Sequence, residues 1–330
     1  MTATTTSAPV TARRVRVGWA DLAWLTWRQH RWVVLGTAVA VVGTVALSLG
    51  MALHVDATGD THELLGRFGY VGVAQQLALV PMVLGLVIAL FWAAPLLSRE
   101  YEQRTHLVVW SQDLTALRWL AGKVVLLGAV ASALAAGLGL ALVKLMNSLN
   151  AADTAYPRFQ PFDSQPFEAA PQVQVGYALF GFALGVACSA ITRRTVPAMG
   201  VTLVVFLVVR FLVARVWRPY FLVPLHRVGP YDEYAAYWSL HTGSDGSWVI
   251  DRGYADVAGN ETPFPTGCES APSRTDYARC LDEHGVRFIS DYHPADRLVP
   301  FQWFEFAIFA VLAAALFALA FARVRRAHRV

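Results

Sequence analysis

The chain has 330 residues, of which 56% are hydrophobic and 15% charged, with a formal net charge of +4. Soluble domains carry roughly a quarter charged residues, and here the apolar residues fall into six runs, each able to cross a hydrocarbon core of about 30 Å as a helix of about 20 residues; this excludes a single water-soluble globule. The positive charge lies in short connections between runs, not in a clustered patch with stacking aromatics, which excludes nucleic acid as the partner.

In chain order, residues 1–12, MTATTTSAPVTA, are small, polar and without pattern, as in a disordered segment. GWADLAWLTWRQHRW follows, with Trp19, Leu22, Ala23, Thr26 and Trp27 at helical spacing and Arg28, His30 and Arg31 towards its end. This pattern predicts an N-terminal amphipathic interfacial helix with Trp rings at headgroup depth, the alternative being a direct extension of the first span. Spans are expected at 32–53, 77–97, 124–145, 173–191, 196–213 and 301–321. Unbroken Val, Leu and Ala runs predict helices and exclude a membrane barrel, whose strands would alternate over about ten residues. Pro81 and Pro95 in the second span and Pro197 in the fifth lie near ends, where kinks are tolerated.

Fifteen Arg and Lys residues fall on one side of these spans: Arg13, Arg14, Arg16, Arg28, Arg31, Arg99, Arg104, Arg118, Lys123, Arg193, Arg194, Arg323, Arg325, Arg326 and Arg329. The two short connections opposite contain only Arg67 and Arg158. By the positive-inside rule both termini are cytoplasmic. The organisation is then a tail and amphipathic helix at 1–31, five spans at 32–216 with a cytosolic elbow at 98–123, an extracytoplasmic domain at 217–300, and the sixth span with a basic tail at 301–330. The fold class is an all-α polytopic membrane protein with six transmembrane helices and a small domain between helices five and six. That domain holds Cys268 and Cys280, a candidate disulfide in the compartment where such bonds persist; the alternative is two free thiols. Cys188 lies within the fourth span as packing.

No covalent chemistry is legible. There is no GxxxxGK[ST] phosphate loop, no HExxH, no paired CxxC and no GxSxG. His226, His241, His284 and His293 are scattered, and Asp282 and Glu283 read as a solvated helix face. No catalytic, cofactor-binding or metal-ligating residue is assigned. Energy for any uphill movement therefore comes from a partner or an ion gradient, and the spans lack the several buried acids and broken helices of gradient-driven sites. Two charges lie at membrane depth. Arg210 is about 10 Å from the outer end of its span and Glu305 about 6 Å below Phe301 at 1.5 Å per residue. They form a candidate intramembrane ion pair, with Lys144 as a competitor and outward snorkelling of Arg210 as the alternative.

Three stretches carry a family resemblance: TWRQHRW at Thr26 to Trp32, APLLSREYEQRTHLVVWSQDLTALRWLAGK at Ala94 to Lys123, and CLDEHGVRFISDYHPADRLVPFQWFE at Cys280 to Glu305. In this order around six spans they resemble the permease subunits of type-2 ABC exporters, and more narrowly a group of permeases from GC-rich bacteria. The resemblance implies a bacterial cell membrane protein that forms the translocation pathway as a dimer, with itself or a homologous permease. It also implies a separate ABC ATP-binding subunit, with ATP and Mg bound by that partner. The elbow would dock into this subunit, Arg99, Glu100 and Glu102 at its membrane-proximal end and a surface including His106 and Trp110 beyond. Relatives commonly carry a glycine where this chain has Arg104. A membrane sensor or accessory protein, using the 217–300 domain to bind a ligand, is the reading from another class.

Overall fold

The computed structural model describes residues 18–61, 69–104, 115–153, 158–229, 246–256, 258–263, 265–271 and 273–327. Among these, six helices are long and apolar enough to cross a membrane: Trp19–Thr58, Tyr70–Glu102, Ala116–Ala152, Pro171–Thr192, Thr195–Tyr220 and Ala295–Arg326. Each contains one of the expected spans. The protein is a multi-pass membrane protein with an all-helical membrane body.

The first span corrects one expectation. Trp19–Thr58 is one helix of 40 residues with no break near Arg31, so the amphipathic segment continues directly into the span, as the alternative reading had it. At 1.5 Å per residue it is about 60 Å long, twice the hydrocarbon thickness. Its N-terminal part therefore extends beyond the apolar core. Trp19, Trp24, Trp27 and Trp32 are exposed there, and the Arg118 guanidinium lies 5.3 Å from the Trp19 ring.

The second span is also not a simple kinked helix. It is an α-helix at Tyr70–Leu77, another at Val80–Val87, a π-helical turn at Ile88–Ala93 and a last α-helix at Pro95–Glu102. Pro81 and Pro95 each sit in the first turn of a new piece. There the missing N–H costs nothing, because first-turn donors have no helical partner. The prolines are restart points of a broken helix.

The fourth span, Pro171–Thr192, is the axis of the body and packs against the second, third, fifth and sixth. Its glycines explain how close it comes. A Cβ on Gly185 would lie 2.5 Å from both the Ala89 carbonyl oxygen and the Ala93 Cβ, and one on Gly181 would lie 2.5 Å from the Gly85 carbonyl. The fourth span thus lies directly on the π-helical turn of the second, where only a residue without a side chain fits. The first span packs along the third, and Trp92 of the second donates to Thr37 Oγ1 of the first at 3.1 Å.

Between the fifth and sixth spans the chain adds a sheet that the all-helical reading did not include. Strands β1 (Leu225–Gly229), β2 (Trp248–Ala255) and β3 (Arg287–His293) are ordered β1-β3-β2, both pairs antiparallel. Leu225 faces Tyr292 and Trp248 faces His293 in register. The helix Arg274–Glu283 begins at Ser273, whose hydroxyl accepts from the Asp276 N–H at 3.1 Å, an N-cap. Cys268 and Cys280 are joined by a disulfide, which fastens this helix to the preceding loop over a buried cluster of Cys268, Leu281 and Val286. Cys188 is a free, buried cysteine.

Candidate functional site

At the basic end of the bundle, the SREYE run holds the ends of four spans together. The helix Pro95–Glu102 begins afresh after the π-helical turn, leaving first-turn N–H groups to be satisfied from outside. Ser189 of the fourth span does this, its hydroxyl accepting from Leu97 N at 3.0 Å and Ser98 N at 2.6 Å. Ser98 in turn meets Thr195 Oγ1 at 3.2 Å. Glu102 caps the fifth span, taking the Thr195 N–H at 2.9 Å on one oxygen and the Thr195 hydroxyl at 2.8 Å on the other. Glu100 accepts from Lys123 of the third span. Lys123 is 1% exposed, lies 4.3 Å from the Trp119 ring, and its buried ammonium needs that carboxylate.

Of the residues expected at this elbow, Glu100 and Glu102 are thus engaged within the chain. Arg99 is exposed, and His106 and Trp110 lie outside the described residues. Arg104 adopts φ 55°, the left-handed region that glycine enters without steric cost. This is a turn that a glycine at this position would suit.

At the opposite end lies a buried charge network. The expected Arg210–Glu305 pair is not formed. Arg210 instead binds Glu168 and the Met82 carbonyl, while Glu305, 0% exposed, receives two hydrogen bonds from Arg218 at 2.7 and 2.8 Å. Tyr177 donates its hydroxyl hydrogen to Glu305. Arg218 also lies 3.5 Å from Glu168, so two arginines and two glutamates are interleaved and their charges balance. The Arg210 guanidinium sits 4.4 Å from the Tyr177 ring centroid and that of Arg218 sits 4.1 Å from Phe167. Lys144, the expected competitor, pairs with Asp56 at 2.7 Å.

The physical reason for the exchange of partners lies in two local structures. A π-helical turn at Leu212–Trp217 and a 3-10 turn at Arg218–Tyr220 end the fifth span. A π turn holds more residues than an α turn, so Arg218 faces inward where a continuous α-helix would have left it at the boundary. The short helix Ser164–Ala169 buries Glu168.

Residues 56–218, from the end of the first span to the start of the 3-10 turn after the fifth, match the family described as ABC-2 membrane transporter related. Over that stretch, a little under half of its length, the chain is similar to ABC-2-type permeases. No curated protein matches the chain. The matched segment contains the whole SREYE bracing, together with Arg210, Glu168 and Arg218, and stops short of the sheet domain.

Joining that domain to the membrane body is an aromatic seam. Phe162 stacks 5.5 Å from Trp248, and Phe301 lies 5.7 Å from Phe162 and 4.7 Å from His293. His293 is completely buried. Its Nε2–H donates to the Pro219 carbonyl at 2.9 Å, and its Nδ1 accepts from Arg297 at 3.1 Å. Burial, with the neighbouring Arg297 charge, holds its imidazole below the ordinary histidine range despite the opposing Pro219 carbonyl.

Proposed function

We propose that this chain is the membrane-spanning, non-catalytic subunit of an ATP-driven exporter. It works as a dimer and takes mechanical work from a separate ATP-binding subunit through the 98–123 elbow. Both termini and the elbow then lie in the cytoplasm, with the 217–300 domain outside, a placement that agrees with its disulfide and with the basic residues at the other end.

The observation that carries this reading is the bracing of the SREYE run. Leu97, Ser98, Glu100 and Glu102 are bonded to the third, fourth and fifth spans, so a displacement of the elbow is passed to four spans without slack. A loop that merely obeyed the positive-inside rule would need no such ties. Support for a dimer comes from the first span, which leaves most of its apolar surface uncovered. Gly36, Gly43 and Gly50 line one side of the first with no neighbour within 4 Å, as suits close helix approach.

Reconstitution with the ATP-binding subunit tests the reading. Glu102→Ala is expected to leave insertion and complex assembly intact while ATP hydrolysis no longer drives transport. Transport per ATP equal to that of the unaltered protein would rule out the elbow as the coupling element.

A further inference from the structure

Beneath the sheet domain, a cavity of about 690 Å³ opens between the fifth span, the short helix Ser164–Ala169 and strand β2. Its lining carries three arginines, Arg210, Arg215 and Arg218, against two carboxylates, Asp163 and Glu168. Arg210 and Arg218 are held by Glu168 and Glu305. Arg215 is exposed, and no described group pairs with it.

Arg215 also ends a ridge. Leu203, Leu207 and Phe211 precede it at four-residue intervals and are 37%, 50% and 61% exposed, and Leu207, Phe211 and Arg215 all line the cavity. From Leu203 to Arg215 the ridge runs about 18 Å at 1.5 Å per residue, a little more than the half-thickness of about 15 Å of a bilayer core. The fifth span thus presents a strip of uncovered hydrocarbon, one leaflet deep, that ends in a cavity at a cation with no partner among the described residues.

We infer that this cavity binds an anionic amphiphile drawn from the bilayer. The anionic head sits against Arg215 beneath Trp248, and an acyl chain lies along Phe211, Leu207 and Leu203. Charge complementarity selects the head, because a guanidinium that no described group pairs favours a phosphate or carboxylate over a zwitterion. Continuity with the lipid-facing ridge selects a bilayer ligand over a soluble anion. The inference rests on the cavity and the ridge alone, and neither the dimer nor the ATP-binding subunit enters it.

The test uses the full-length permease purified in a neutral detergent, with bound lipid counted by native mass spectrometry. Phosphatidylglycerol is expected to bind saturably and more tightly than phosphatidylcholine. Glycerophosphoglycerol, the same head without chains, should not displace it. Arg215→Gln should weaken phosphatidylglycerol about tenfold, the worth of one charge-assisted hydrogen bond, and Phe211→Asn should weaken it as well. Arg325→Gln, exposed at the far end of the sixth span, should change nothing. Equal binding of the two lipids, displacement by the chain-free head, or unaltered binding to Arg215→Gln would each overturn the inference.

Discussion

Arg104 is the residue at which backbone and side chain disagree most openly. A non-glycine residue at φ 55° carries strain of about 1 kcal/mol relative to glycine. Arg104→Gly is expected to raise the midpoint of thermal unfolding slightly, and a lower midpoint would show that the arginine side chain stabilises the turn by more than that. Glu305 works in the opposite sense. Glu305→Gln leaves Arg210 and Arg218 sharing Glu168, and an uncompensated buried charge costs about 3–5 kcal/mol. The double variant Arg218→Met, Glu305→Gln restores charge balance and should regain most of the loss. If the single variant unfolds at the same temperature as the unaltered protein, the network does not stabilise this end of the bundle.

His293 gives the junction a pH dependence with a definite sign. Its pKa in the folded protein is lowered from 6.5, whereas in the unfolded chain it returns to the ordinary value. Below about 6.5 the unfolded state therefore binds the extra proton, and stability is lost as the pH falls through 6.5 towards the depressed folded value. Above that range the contribution is complete. Thermal unfolding followed from pH 8 to pH 5 should show the decline, and His293→Gln, which can still donate to Pro219 and accept from Arg297, should flatten it. A decline of the same size in the variant would assign the effect to other groups.

At the scale of elements, the fourth span depends on its glycines. Gly185→Ala places a methyl against the Ala89 carbonyl and Ala93, so the fourth span must move off the π-helical turn of the second, at a cost of about 1–3 kcal/mol. Gly200→Ala, with nothing within 4 Å, should be neutral. Equal stability of the two variants would contradict the packing described. These same elements set the limit of what the sequence disclosed. All six spans were legible because run length and hydropathy decide membrane crossing. The disulfide was legible from its two cysteines in one polar segment. The π-helical turns were not, since Ile88–Ala93 and Leu212–Trp217 are apolar runs whose pattern is equally that of an α-helix. That is why Arg210 was paired with Glu305 and Arg218 was not singled out. The sheet was hidden because β1 is only five residues long and a long connection separates it from β2, with β3 at the centre reached only through a helix. Glu100 and Glu102 stood out only as elbow residues that would dock a partner, and their contacts within the chain went unseen, because Lys123 and Thr195 lie in other spans, beyond the reach of local spacing.

Considered whole, the molecule concentrates polar contacts at its two ends and leaves the middle apolar. The basic end is braced by Ser189, Lys123 and Thr195 around the SREYE run, and the domain end by the Glu168, Arg210, Arg218 and Glu305 network under its aromatic seam. Between them, the fourth span is covered on most sides while the first, fifth and sixth are largely bare. This is the shape expected of a lever acting on a pathway that a second copy completes. The most direct measurement is a photoreactive side chain introduced at Gln103, exposed beside the elbow, and activated in intact cells. The account predicts that it crosslinks to a protein that carries a phosphate loop and hydrolyses ATP, and that Gln103→Cys resists a membrane-impermeant thiol reagent added outside. Labelling of that cysteine from outside, with no ATP-hydrolysing protein crosslinked, would contradict it.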